Sequence, residues 1–312
     1  MGAARTRTAQ AAALLAVLAL VSSCGEPAGS GVAGAGTPPA SATPTTPTPS
    51  PSATSSAPTA SPRPSSSTPS APSNTPDLSP PWQVGASPLP LRPDGFGYVL
   101  PTPPQLVNRR LPTVDVLPPP RNGVFTAAID PISTAIRKRM GETWSSNCPV
   151  SLADLRYVTV SFRGFDGKPH TGELVINRAY ARDIVSVFHK LYTARFPIEE
   201  MRLPTTADLN AHPTGDGNDT SALVCRAARG QTRWSEHAYG RAIDINPFQN
   251  PYVKDDLVLP ELASAYVDRS DKRSGMIFPG HIVVNAFAAI GWGWGGNWQH
   301  SKDYQHFSST GN

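Results

Sequence analysis

Apolar and polar positions alternate most clearly at residues 155–162, Leu-Arg-Tyr-Val-Thr-Val-Ser-Phe. A period of two in β-branched and aromatic residues predicts a half-buried strand. Asp166-Gly167 follows as a hairpin signal, and residues 172–177 read as the returning strand. The period then lengthens. Ile184, Val187, Phe188 and Leu191 form one stripe of a helix over 178–194, with Asn177 placed to cap it. A shorter helix is predicted over 131–140, where Pro131 suits the first turn and Ile132 and Ile136 share a face. Residues 201–203 read as a strand ending at Pro204, and 208–218 as a polar, glycine-bearing loop. The pattern closes with a short strand at 242–246, a helix over 281–290 stopped by Gly291, and strands at 292–294 and 304–307. Strands and helices without regular βαβ alternation indicate an α+β domain.

Before this region the pattern disappears. The chain holds 35 prolines, and residues 24–80 are almost wholly Pro, Ser, Thr, Ala and Gly. Such a segment has too little apolar surface to offset its ordering entropy, so a disordered, proline-extended linker is expected. Residues 81–121 regain apolar anchors (Trp82, Phe96, Tyr98, Leu100, Leu111 and Leu117) and read as an extended arm against a folded domain at 122–312. At the other end, Arg5 and Arg7 precede an apolar run over 11–21, too short to span a bilayer comfortably, as in a signal peptide over 1–23. Leu20-Val21-Ser22-Ser23-Cys24 has the form of a bacterial lipobox, in which Cys24 is lipidated. The expected place is the outer face of the cytoplasmic membrane, or secretion if Cys24 carries no lipid.

Assigning Cys24 to lipid leaves Cys148 and Cys225, which in an exported chain are expected as a disulfide. The formal charge of +4 falls towards neutral without Arg5 and Arg7. No Lys/Arg run with interleaved aromatics occurs, so nucleic-acid binding is not supported, and a monomer is expected.

The chemistry-bearing residues lie late in the chain. Ser-Glu-His-Ala-Tyr-Gly-Arg-Ala-Ile-Asp-Ile-Asn at 235–246 and Asp-Tyr-Gln-His-Phe at 303–307 supply two histidines and two carboxylates. A catalytic zinc needs three such ligands, an open position and a nearby base. His237, Asp244 and His306 are the candidate ligands and Asp303 the candidate base. Asp244 lies between Ile243 and Ile245, where a carboxylate is costly without a partner. Asp303 and His306 would face opposite ways on a regular strand, so a turn or bulge is predicted between them. His170, His189, His212, His281 and His300 show that a histidine in this chain usually needs no special role.

Three motifs carry a family resemblance: Ser235-x-His237-x-x-Gly240-x-Ala242-x-Asp244, Gly293-Trp-Gly-Gly-x-Trp298 and Asp303-x-x-His306-Phe307. Together they resemble the zinc D-alanyl-D-alanine carboxypeptidases, which include vancomycin-resistance carboxypeptidases and phage L-alanyl-D-glutamate endopeptidases. The likeness extends upstream through Phe165-Asp-Gly167, His170-Thr-Gly-Glu173, the helix at Arg178, Phe196-Pro-Ile198 and Thr220-Ser-Ala-x-x-Cys-Arg226. It implies a small α+β fold with a central antiparallel sheet, shared with the hedgehog signalling domain. It implies zinc at His237, Asp244 and His306, and Asp303 as general base where some members have Glu. It further implies that Arg226 binds the substrate carboxylate or the developing oxyanion, a role suited to a bidentate guanidinium.

Ser235 is a candidate to bond substrate or orient His237, and Trp294 and Trp298 are candidates to wall the cleft, with packing in the core an equal reading for both. The chain has Asn218-Asp-Thr-Ser-Ala-Leu-Val-Cys-Arg226 where the family often has Asn-Asn-Thr-Ser-Ala-Phe-Asn-Cys-Arg. Loops of this kind shape the pocket, so the bond cleaved stays open between a D-Ala-D-Ala carboxypeptidase, an endopeptidase and, without turnover, a zinc-containing binding module.

Overall fold

The computed structural model describes residues 82–228 and 231–312. The chain divides after Ser73, and all described residues belong to the unit Asn74–Asn312. The predicted signal peptide, Cys24 and the linker at 24–80 lie outside the described residues. Among the described residues no helix is long and apolar enough to cross a membrane.

The architecture is α+β. Among the described residues the helices are α1 Pro104–Val107, α2 Thr134–Met140, α3 Ala181–Thr193, α4 Thr206–Asn210 and α5 Ile282–Ala288. The strands among them are β1 Ala127–Pro131, β2 Leu155–Arg163, β3 Pro169–Asn177, β4 Ala242–Asp244, β5 Tyr252–Lys254, β6 Leu257–Leu259, β7 Gly293–Trp294, β8 Lys302–Asp303 and β9 His306–Ser308. One central sheet was expected. The strands instead divide among three antiparallel sheets, ordered β1-β2-β3, β4-β9-β7 and β6-β5-β8.

The periodic segments form as their patterns dictate. β2 and β3 pair from Leu155↔Asn177 to Arg163↔Pro169 around the Asp166-Gly167 turn, where Gly167 has φ 77. Ile184, Val187, Phe188 and Leu191 of α3 are buried against Val158, Val160 and Phe162 of β2 and Val283, Ala286 and Phe287 of α5. Burying each large apolar side chain contributes roughly 1.5–3 kcal/mol. Ile243, Ile245, Trp294 and Phe307 join the same core, so one side of β4 and β9 is anchored in it.

Several local expectations are corrected. Pro131 ends β1 instead of opening a helix; α2 starts at Thr134, with Ser133 Oγ accepting from Ile136 N at 3.2 Å. Asn177 caps a turn, accepting from Ala179 N at 3.1 Å, and α3 starts at Ala181. Residues 201–203 make no strand, although Met201 O accepts from Glu173 N. The predicted loop at 208–218 begins inside α4, because Thr205 and Asp208 close a capping box.

Residues 82–121 lie on the domain and include α1. Leu89 and Leu106 are buried with Phe248, Leu262, Tyr266 and Met276 in a second core. Trp82 Nε1 donates to Asp216 at 2.8 Å. Arg109, with no exposed side-chain surface, pairs with Glu199.

Candidate metal centre

The sheet β4-β9-β7 builds the site. Asp244 at the end of β4 stands directly opposite His306 at the start of β9, and side chains in such pairs have Cβ atoms about 4.5–5.5 Å apart. Their neighbours Ile243 and Phe307 are fully buried, which fixes the register that aims Asp244 and His306 the other way. His237 comes from the short 3₁₀ turn Glu236–Tyr239 just before β4. Gly240, with φ 67, lets that turn fold back onto the strand, and a Cβ there would lie 2.9 Å from Asn177 N. Ser235 Oγ accepts from His237 N at 3.3 Å, so Ser235 serves as a cap that sets His237.

Three donor atoms consequently face one another. His237 Nε2 lies 3.2 Å from His306 Nδ1, His306 Nδ1 lies 3.0 Å from Asp244 Oδ1, and His237 Nε2 lies 3.3 Å from Asp244 Oδ1. An ion bound tetrahedrally at about 2.0–2.1 Å spaces its donors by about 3.3 Å. The triangle therefore fits zinc. The opposite ring nitrogens are also engaged: His237 Nδ1 with Ala222 O at 2.6 Å and His306 Nε2 with Asn312 O at 3.0 Å. A main-chain oxygen accepts only, so each ring keeps a proton on its outer nitrogen and turns the inner one towards the centre.

Electrostatics agree. Burial alone would push the Asp244 carboxyl up, but the charge and hydrogen bond of His237, with those of His306, hold it well below the usual carboxylate range. Burial opposes the His306 imidazolium. The hydrogen bond and charge of Asp244, the charge of Asp303 and the bond to Asn312 outweigh it, so the group is raised to about 9. A site that so favours a shared positive charge suits a cation.

Asp303 lies in β8, paired with Tyr252 of another sheet. The chain bends at Tyr304 and Gln305 before β9 starts, so a turn separates Asp303 from His306. Gly295 admits the Asp303 backbone: a Cβ on it would sit 2.7 Å from Asp303 O. The charge of Asp303 reaches His306.

Arg226 follows Cys225, which is disulfide-bonded to Cys148, and leads into the Ala227↔Trp234 bridge. Its half-buried guanidinium donates to Ala227 O at 3.3 Å. Among the described residues no carboxylate is paired with it.

Trp294 is a correction. It is 4% exposed, stacks with Phe307 and spends its indole N–H on Tyr304 O at 2.9 Å, so it is core and not cleft wall. Trp298 is half-buried with its ring 5.5 Å from that of His306, which places it beside the site. His170 lies elsewhere, between Asp115 and Asp166. Sequence reasoning missed the Ala222 and Asn312 main-chain oxygens. Main-chain acceptors carry no residue signature, so no sequence signal could have found them.

The family model described as D-alanyl-D-alanine carboxypeptidase matches residues 229–309. That segment holds His237, Asp244, Asp303 and His306, and the match supports the resemblance and a peptidase. Arg226 and the upstream motifs lie outside it. No curated protein and no solved structure matches the chain.

Proposed function

We propose that this chain is an exported zinc metallopeptidase that hydrolyses peptidoglycan stem peptides as a D-alanyl-D-alanine carboxypeptidase. The observation that carries the reading is the triangle of His237 Nε2, Asp244 Oδ1 and His306 Nδ1 within the matched segment. Zinc held there would supply a Lewis acid and bring the pKa of a water towards 7. The chain does the rest. Asp303 takes a proton from the attacking water and returns it to the leaving amine. Arg226 holds the substrate carboxylate, since a terminal D-alanine presents a planar anion that a guanidinium pairs bidentately. Trp298 covers one side of the site, and the main-chain oxygens of Ala222 and Asn312 keep both rings from turning. The signal peptide, lipidated Cys24 and linker are proposed to hold this domain at the outer face of the membrane, within reach of the wall.

The test is release of D-alanine from a stem peptide ending in D-Ala-D-Ala, followed by mass spectrometry with and without a chelator. Chelator-sensitive loss of one alanine supports the carboxypeptidase. Cleavage inside the stem would replace it with an endopeptidase. Absence of cleavage on any muropeptide would leave only a zinc-binding module.

A further inference from the structure

The glycine-rich stretch 293–296 and residues 308–311 have no part in the mechanism above, yet they meet and carry Asn312 to His306. β7 lies beside β9, and a Cβ on Gly293 would come 2.5 Å from the Cα of Gly311. Glycine at 293 therefore lets residues 309–312 lie flush across β7. Gly311, with φ 76, turns the chain back in the left-handed region. This path brings the Asn312 main-chain oxygen to 3.0 Å from His306 Nε2. Ser308 Oγ, fully buried, donates to the same oxygen at 2.8 Å, and Trp298 Nε1 donates to Gly311 O at 2.7 Å.

We propose that residues 308–312, seated on Gly293 and pinned by Ser308 and Trp298, are the positioning clamp of the ligand His306. The inference rests on the metallopeptidase reading and deepens it. A main-chain oxygen that accepts from Nε2 keeps the proton there, so Nδ1 stays the nitrogen turned towards Asp244 and His237. A half-turn of the ring would replace Nδ1 by a carbon and remove one of three ligands. The clamp forbids that turn. Ser308, Trp298 and Gly293 are positioning residues: they act on the metal through His306.

The test titrates zinc into the metal-free full chain against a competing chelator, for the unsubstituted protein and for Gly293→Ala, Ser308→Ala and Trp298→Phe. Loss of an outer partner weakens metal affinity by about 10–100-fold, and that loss is expected for Gly293→Ala, with smaller losses for the other two. A second readout needs no metal: the His306 Nε2–H proton should exchange with solvent more slowly in the unsubstituted chain than in each variant. Should Gly293→Ala fail to fold, Ser308→Ala decides, because it removes one hydroxyl and no packing volume. Affinities within about two-fold of the parent in variants that melt normally, with unchanged exchange, would overturn the clamp. If the unsubstituted chain takes up no zinc, the metallopeptidase reading fails by itself. The exchange measurement then decides the clamp separately.

Discussion

Replacing Glu199 by alanine strands a buried cation. The Arg109 side chain has no exposed surface and that of Glu199 is 6% exposed. Arg109 Nε and Nη2 donate to the two Glu199 oxygens at 2.8 and 2.6 Å, and Asn218 Nδ2 adds a third bond at 2.8 Å. With the carboxylate gone, Arg109 keeps the Asp216 carbonyl and the face of Phe248, neither of which balances its charge. Removing one partner of a buried pair costs about 3–5 kcal/mol. In a domain of this size each kcal/mol moves the melting temperature by about 2–4 °C, so a fall on the order of 10 °C is expected. The Glu199 N–H that donates to Asn246 Oδ1, two residues past Asp244, is main chain and survives the substitution, so zinc uptake should persist while stability falls. Circular dichroism melts of the metal-free and zinc-loaded chains measure both. The double variant Arg109→Met, Glu199→Leu should recover much of the loss, because no charge is left unpaired. A shift below about 3 °C for Glu199→Ala, or a double variant worse than the single, would refute the reasoning.

Asp303→Ala should retain zinc while turnover falls by about 10²–10⁴-fold, whereas His237→Ala loses metal and activity together; elemental analysis beside kinetics separates them. Equal metal loss in both would make Asp303 a ligand. Reducing Cys148–Cys225, which spans 77 residues, should cost about 4 kcal/mol on the chain-entropy model, read as a lower urea midpoint under reductant. Burial works against ionised Asp208, but Arg202 and Thr205 bring its carboxyl down to about 2. Its folded value lies below its unfolded value. The contribution is therefore present above about pH 4 and lost as pH falls through about 2, worth about 1 kcal/mol after screening of a side chain that is 37% exposed. Asp208→Asn should flatten that acid limb in urea titrations.

The sequence by itself determined the elements whose pattern repeats. β2, β3 and α3 each run for nine residues or more, so a period of two or 3.6 has room to show, and their apolar faces became the core. It also placed His237, Asp244 and His306 as candidates, because ligand chemistry is a property of residue type. Tertiary structure decided what depends on contacts distant along the chain. β1 is wholly exposed and takes its form from pairing with β2, and strands of two or three residues such as β5 to β9 are too short to carry a period. Trp294 reads equally as cleft or core until Phe307 and the Tyr304 carbonyl claim it. The ring nitrogen that faces the centre was decided last, by the Ala222 and Asn312 main-chain oxygens. Every residue carries that acceptor, so only the folded path of the chain could choose which ones reach the two imidazoles.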